Sequence, residues 1–360
     1  MSILTPQIVR KAAFIALFVI VLTASLSAAN YGPVGFPKTL LTLYQESDVI
    51  AVAKFAKSEH GRTVREDSDF AILETKRYFD VSYVLKGEHS KFLVVADEEF
   101  ISKDVPFSAT LEQTTDDEYH ILAGDTVLLF LRKSEDGKKL ELVNADDSLK
   151  KLNSRDLSVY EARIAELRSM YDAGDPEPSK LLSWLIDCVR EPATRWEGSF
   201  ELITSFERAE YQAKQAEPDT KQLSTNAAPK FDKAVFARII TEQQKLELAN
   251  TLLAPTLGKD VPSRGDNELM EMVAKWGDSR LAGYLINQIR SDPKPSYSLT
   301  LKVRTLLKLL GDKKAEQLAA RIDDSIAVNE GVENGRTKQD AILKFANYAK
   351  SRISEEPEDK

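Results

Sequence analysis

The spacing of hydrophobic positions changes near residue 150. Before that point the apolar residues form short runs, several of them alternating, separated by turn-forming residues. After it, apolar residues such as Leu157, Tyr160 and Ile164 recur three or four positions apart, as in amphipathic helices. The pattern predicts a multidomain α+β protein, in which a small antiparallel β-barrel precedes an all-α array. The predicted strands cover residues 48–55, 70–85, 92–96, 126–131 and 140–143.

Glycine-containing pairs mark the turns of the predicted barrel. Lys86-Gly87 follows one strand, Gly124-Asp125 precedes another, and Asp136-Gly137 predicts a tight hairpin because glycine tolerates a positive φ. A short helix or a turn is expected within residues 38–46. The polar segments 57–69 and 97–118 are predicted to be loops, and a loop as long as the second is often functional or mobile.

The order of these strands resembles a known barrel family. A strand at residues 48–52, one that ends in Leu85-Lys86-Gly87, and one that opens with Gly124-Asp125 are similar to TIMP-like (netrin-type) barrels, which are OB-fold relatives with bacterial secreted members. The resemblance covers residues 40–172. The inhibitor members resemble one another in an N-terminal cysteine that meets the protease metal. Residues 30–150 contain no cysteine, so protease inhibition by that mechanism is not implied.

Helical periodicity predicts a series of helices after residue 155. Residues 155–171, 181–189 and 194–209 are expected to be helical, and 231–253 to form one long helix after a linker at 215–230. Arg195, Gly198 and Leu202 are similar to the second helix of a HEAT-type repeat. Residues 178–330 are therefore predicted to be an irregular α-helical array, HEAT-like or TPR-like in the length of its repeats.

A weak internal repeat supports that array. Gly277-Asp278 and Gly311-Asp312 lie 34 positions apart, a spacing that suits stacked helical hairpins. In each pair, the glycine is expected to end one helix and the aspartate to cap the next. Thr337 is expected to cap a last helix at residues 339–351.

The N-terminus predicts export. Arg10 and Lys11 precede an apolar stretch at residues 12–22 and small residues up to Ala29, as in a cleavable signal peptide. The alternative is an uncleaved membrane anchor. The predicted divisions are the signal peptide 1–29, the barrel 30–150, a first helical part 151–255, helical hairpin repeats 256–353 and an acidic, disordered tail 354–360.

Charge and cysteine content exclude several classes of function. The net charge of −8 argues against nucleic-acid binding, which requires a basic surface, and provides no polybasic membrane anchor. The single cysteine, Cys188, rules out an intrachain disulfide. It lies in an apolar helical segment, where a buried, inert thiol is expected.

The sequence contains few candidates for a reactive site. His60, His89 and His120 all fall within the barrel, but none has the spacing of a zinc motif, so solvated loop histidines are expected. The acidic clusters 97–99 and 116–118 lack the calcium-loop register, so solvated charge is expected there. No Gly-x-Ser-x-Gly or Gly-x-Gly-x-x-Gly motif occurs.

Two short motifs also have simple structural interpretations. The tripeptide Arg264-Gly265-Asp266 matches an adhesion motif by chance, and Asp266 is expected to cap a helix. The glycines of the segment 331–337 are too close together for a phosphate-binding loop.

We therefore assign no catalytic, cofactor-binding or metal-binding residue from the sequence and expect no cofactor. The expected function is that of an exported, non-enzymatic binding protein of the periplasm or cell envelope, or of an extracellular protein, with a protein partner. The alternative is a metal-dependent binder or hydrolase that uses the 97–118 loop. The partner and the oligomeric state stay open.

Overall fold

The structure, a computed structural model, consists of a β-barrel followed by helices. The structure describes residues 37–66, 70–88, 90–102, 121–137, 139–144, 147–215, 234–254, 265–293, 297–327 and 332–355. The predicted signal peptide 1–29 and most of the predicted linker and tail lie outside these ranges. The multidomain α+β prediction is confirmed, because ten helices follow the barrel within the described ranges.

One short helix and six strands form the first half of the described chain. The helix predicted within residues 38–46 is present as α1. The strand predictions are confirmed in position, and β6 is an additional strand that the hydrophobic pattern did not reveal. These elements are α1 (Leu40–Glu46), β1 (Val49–Glu66), β2 (Phe70–Lys86), β3 (Phe92–Ser102), β4 (Thr126–Lys133), β5 (Leu140–Leu142) and β6 (Leu149–Lys151).

The sheet closes on itself. The strand order is β1-β2-β3-β5-β4, and β4 returns to pair with β1 from Thr126 to Leu131. All pairs are antiparallel except β3 with β5, which pair in parallel at only two positions, Val95 with Leu140 and Ala96 with Glu141. The barrel wall is therefore weakest between β3 and β5.

Strands β1, β2 and β3 extend beyond the barrel and form an arm. Residues 57–66 continue β1 and pair with β2, and residues 97–102 continue β3. The prediction of loops at 57–69 and 97–118 is therefore wrong for 57–66 and 97–102. Residues 57–66 are all exposed, so this half of the hairpin lacks the alternation of apolar and polar residues that reveals a strand with one buried face.

Continuous apolar runs in β1 and β4 are explained by burial on both faces. Val49 and Ala51 point into the barrel core with Phe79 and Leu129. Their neighbour Ile50 faces the opposite way and belongs to a second core that extends through the helices. One hydrophobic core thus joins the outer face of the barrel to the helical region.

The helices occupy the rest of the described chain. They are α2 (Ser154–Asp172), α3 (Pro178–Arg190), α4 (Arg195–Gln215), α5 (Val235–Ile239), α6 (Glu242–Leu253), α7 (Asp266–Lys275), α8 (Arg280–Ser291), α9 (Tyr297–Leu310), α10 (Lys313–Ala327) and α11 (Val332–Glu355). No helix among the described residues has the length and apolar character needed to cross a membrane.

Two predicted helix boundaries are wrong. The long helix predicted at 231–253 is broken in its described part, because Thr241 forms a capping box with Gln244 that starts α6. The helix predicted at 339–351 begins earlier, at Val332, so Thr337 lies inside α11 and is not its cap. In both cases the helical periodicity was predicted correctly, and the error lies in the residue at which the helix begins.

The interpretation of the two Gly-Asp pairs is confirmed for both glycines and for Asp312, whereas the N-cap residue of α8 is Ser279 and Asp278 lies one position before it. Gly277 and Gly311 have positive φ values of 73° and 58° at the ends of α7 and α9. Asp278 Oδ1 accepts the N–H of Arg280 at 3.0 Å, and Asp312 Oδ1 accepts the N–H of Lys314 at 2.7 Å. Each pair therefore ends one helix and begins the next.

Candidate functional site

The predicted histidines do not form a described cluster. His60 lies on the exposed arm, where its Nδ1 is 3.4 Å from Thr75 Oγ1. His89 and His120 lie outside the described residues. Among the residues that are described, no group of three histidine, cysteine or acidic side chains is arranged to hold a metal ion. The acidic residues 97–99 lie in β3, and 116–118 fall outside the described ranges.

Cys188 is confirmed as a buried thiol. It is fully buried on α3, and burial raises the pKa of its thiol well above the ordinary value. The main-chain carbonyl of Cys188 accepts a hydrogen bond from Thr194 Oγ1 at 3.0 Å. Because the thiolate is the reactive form, this thiol is unreactive while the helices are folded.

Asp266 has a different role from the predicted one. The N-cap of α7 is Gly265, with φ of 104°, and Asp266 lies in the first helical turn. Its carboxylate accepts a hydrogen bond from the buried Arg195 guanidinium at 2.8 Å. A Cβ on Gly265 would lie 2.6 Å from Trp196 Cα, so this glycine permits close packing of α7 against α4. Arg264 lies outside the described residues.

A buried polar network joins the barrel to the helices. Glu197 on α4 is 1% exposed and accepts hydrogen bonds from the Leu40 N–H at 2.6 Å and the Tyr160 hydroxyl at 2.8 Å. Lys150 on β6 pairs with the same carboxylate at 3.0 Å. One turn later on α4, Glu201 accepts hydrogen bonds from the hydroxyls of Thr39 and Thr42.

These carboxylates hold the start of α1. Thr39, the N-cap residue of α1, makes no side-chain cap of its own, and Glu197 accepts the Leu40 N–H at this helix end. The negative charges also lie at the positive end of the helix dipole. Neither glutamate lines a described cleft. We therefore interpret the network as structural rather than catalytic.

Of the two clefts found among the described residues, the more enclosed one lies in the barrel wall beside the short β3–β5 pairing. Its volume is about 450 Å³, and it lies between the start of β3 and the β4–β5 hairpin. The apolar lining includes Phe92, Val94 and Leu140. We refer to it as the β3 cleft. Its lining residues are Val49, Lys76, Glu88, Ser90, Phe92, Leu93, Val94, Ala96, Lys133, Gly137, Lys139 and Leu140.

Two large apolar side chains of the β3 cleft are unusually exposed. Phe92 is 46% exposed and Val94 is 40% exposed, while the intervening Leu93 is 5% exposed and packs in the barrel core. The alternation of the strand therefore places Phe92 and Val94 on the outer face. Ser90 Oγ donates to the Phe92 carbonyl at 2.6 Å and anchors the start of β3.

The charges that line the β3 cleft are mostly positive. Lys76, Lys133 and Lys139 line it, against the single carboxylate of Glu88. All three lysines are exposed, and neither Lys133 nor Lys139 forms an ion pair with a described residue. This concentration of positive charge contrasts with the net charge of −8 of the whole chain.

Comparison with known proteins identifies no relative: no family model, no curated protein and no solved structure matches this chain. The barrel and the helical region are features of the structure itself, and the chain is not shown to belong to a TIMP-like or HEAT-like family.

The β3 cleft could not be predicted from the sequence, because its lining comes from separate segments of the chain. The one available signal was the uninterrupted apolar run 92–96. A strand that is apolar on both faces requires a covering element on each side, and the described helices pack elsewhere.

Proposed function

We propose that this chain is an exported, non-enzymatic binding protein of the periplasm or cell envelope, and that it docks a protein partner at the β3 cleft. The proposal of export is supported by the apolar stretch 12–22 and the small residues that follow it. The proposal of docking is supported by the side chains that line the barrel wall.

The exposure of Phe92 and Val94 carries the docking proposal. Adjacent exposed apolar side chains in a cleft are typical of binding surfaces, whereas isolated ones are common on any protein. A small-molecule pocket encloses most of its ligand. Here the apolar side chains are about half open to solvent, which favours a larger partner that covers them from outside.

The form of the barrel adds support by analogy. The strand order β1-β2-β3-β5-β4, closing on β1, is similar to that of OB-type barrels, which bind ligands on the face of the second and third strands. Helical arrays of the HEAT type also present binding surfaces. We extend the TIMP-like and HEAT-like interpretations to this chain on that basis, as a fold-level analogy.

Position-specific photocrosslinking tests the proposal. A photoreactive phenylalanine analogue placed at Phe92, in the whole chain expressed in its native host, should give a discrete adduct with one envelope protein. The matched control carries the same analogue at Leu246 on α6, which is 45% exposed, nearly the same as Phe92. The proposal predicts an adduct at Phe92 that is absent at Leu246.

Two results would contradict the proposal. The first is the same set of adducts from both positions, which would indicate collision rather than docking. The second is the absence of any adduct at Phe92 when the labelled chain is present in the envelope fraction. Mass measurement of the recovered chain reports in the same experiment whether residues 1–29 have been removed.

A further inference from the structure

We propose that the β3 cleft recognises an extended acidic peptide segment, in which apolar side chains alternate with carboxylates. This inference rests on the proposed docking function and specifies the partner's chemistry. It follows from three properties of the cleft: the apolar strip along β3, the edge of that strand and the lysines on the rim.

The apolar strip has the spacing of an extended chain. Phe92 and Val94 are two residues apart on one strand, so their side chains lie on the same face, about 7 Å from each other along β3. A partner in extended conformation presents alternate side chains with the same period. Two apolar side chains of such a segment can therefore cover Phe92 and Val94 in register.

The β3 edge leaves room for that segment. β3 pairs with β2 from Phe92 to Ser102 but with β5 only at Val95 and Ala96. Between Phe92 and Val94, the edge that faces β5 has no strand beside it among the described residues. A peptide that lies along this edge adds main-chain contacts of the kind used in β-strand addition.

The lysines select the sign of the partner's charge. Lys133 and Lys139 lie on the β4–β5 side of the cleft and Lys76 on the β2 side, so cationic side chains flank the apolar strip on both sides. A segment with carboxylates beside its apolar residues meets opposite charges there, whereas a basic segment meets like charges. Glu88 is the single anionic side chain in the described lining.

Peptide is favoured over nucleic acid by the character of the lining. Single-stranded nucleic acid binds to a series of stacking aromatic rings along a basic groove. The β3 cleft has one aromatic side chain, Phe92, and its other apolar members are aliphatic. Tyr78 is nearby, but its ring already packs against Phe92 with centroids 5.9 Å apart.

Fluorescence anisotropy with defined peptides tests this inference. The probes are two labelled eight-residue peptides, one alternating glutamate with valine and one alternating lysine with valine, and the purified full chain is titrated into each. The glutamate peptide should bind and the lysine peptide should not. Raising the salt concentration should lower the affinity of the chain for the glutamate peptide, because salt screens the attraction between exposed charges.

Charge reversal supplies the decisive comparison. The double variant Lys133→Glu/Lys139→Glu should bind the glutamate peptide at least about tenfold more weakly. Each exposed charge pair contributes modestly to binding, but the two substitutions together change the charge of the cleft by four units, and their effects add. The control Lys180→Glu/Lys308→Glu makes the same change in net charge at exposed positions on α3 and α9 and should leave binding unchanged. Phe92→Ala should weaken binding of the glutamate peptide without changing the far-UV circular dichroism spectrum of the chain.

Each contrary result overturns the inference. Equal loss in both double variants would show a general charge effect, and equal binding of both peptides would show that carboxylates are not selected. Tighter binding of a labelled oligothymidylate than of the glutamate peptide would assign the cleft to nucleic acid. If photocrosslinking at Phe92 succeeds while the glutamate peptide fails, only the acidic peptide class is refuted and the docking function stands.

Discussion

Removing the Glu197 side chain should loosen the joint between barrel and helices. In Glu197→Ala, the buried Leu40 N–H and Tyr160 hydroxyl lose their acceptor, and the Lys150 ammonium loses its partner. Lys150 lies 5.7 Å from the Tyr160 ring centroid and 5.8 Å from that of Trp196, so it keeps some favourable contact with aromatic faces. Those contacts do not replace a carboxylate.

The expected loss follows from burial. The Glu197 side chain is 1% exposed and that of Lys150 is 12% exposed. Breaking a buried ion pair by removing one partner costs about 3–5 kcal/mol, because the remaining charge is left without compensation. We expect the lower end of that range, about 3 kcal/mol, because the Lys150 side chain is partly exposed, so its charge is not fully removed from water.

Equilibrium urea denaturation followed by tryptophan fluorescence measures this loss. Trp184, Trp196 and Trp276 all lie in or at the end of a helix, so the signal reports directly on the region that Glu197 holds. A fall in the denaturation midpoint at unchanged slope is the expected result.

The matched control is Glu166→Ala. Glu166 pairs with Arg163 at 2.7 Å, a distance similar to that of the Glu197–Lys150 pair, but its side chain is 47% exposed. A pair whose carboxylate is exposed to water in this way contributes about 0–1 kcal/mol. If Glu197→Ala destabilised the chain by no more than Glu166→Ala, the reasoning that places the joint at Glu197 would be refuted.

Three further predictions use single side chains as reporters. Ala at Gly87 should destabilise the chain more than Ala at Gly124 in urea denaturation: both glycines have positive φ, which alone costs Ala about 1–2 kcal/mol, but only at Gly87 would the Cβ meet a backbone atom, 2.2 Å away. Equal losses would contradict this. Cys188 should react with a thiol reagent only as fast as the helices open, so reaction at the rate of a free thiol in native conditions would refute its burial. Burial and the hydrogen bond to the Glu161 carboxylate raise the pKa of Tyr83 to about 12, so its neutral form stabilises the fold below pH 10 and that contribution is lost as the pH rises from about 10 to 12. In a titration followed by absorbance at alkaline pH, the Tyr83→Phe variant should lack one phenol that titrates near pH 12 in the unmodified chain. Loss of a phenol that titrates near pH 10 would count against the raised pKa of Tyr83.

The barrel strands could be predicted because burial on two faces leaves a clear mark in the sequence. The runs 49–53 and 127–131 are continuously apolar, since alternate residues enter the barrel core and the core shared with the helices. The Lys86-Gly87 turn was also visible, and the close approach of Gly87 to the Asp48 carbonyl explains why glycine is required there.

The arm could not be predicted for the opposite reason. Residues 57–66 are exposed throughout, so their strand conformation depends on main-chain pairing with β2. Such pairing leaves no alternation of apolar and polar residues in the sequence. The helix break before α6 was missed because Thr241 and Gln244 act through local capping within an otherwise helical pattern.

The candidate site depends on long-range placement. The start of β3 and the β4–β5 hairpin meet only after the barrel closes, so the approach of Lys133 and Lys139 to Phe92 has no signature in local sequence. The buried polar network between barrel and helices had a weak signal in the sequence: Glu197 and Glu201 lie one helical turn apart in a segment that is otherwise mostly buried. Acidic residues on a buried face require partners, and here the partners come from α1, α2 and β6.

Methyl NMR of the purified full chain tests most directly whether the β3 cleft is the surface that binds the acidic peptide. Resonances of Val94, Leu140 and Leu246 are followed while the unlabelled glutamate–valine peptide is added. Our account predicts progressive shifts at Val94 and Leu140, which line the cleft, and an unchanged signal at Leu246 on α6. Shifts that appear at Leu246 while Val94 and Leu140 stay unchanged would contradict it.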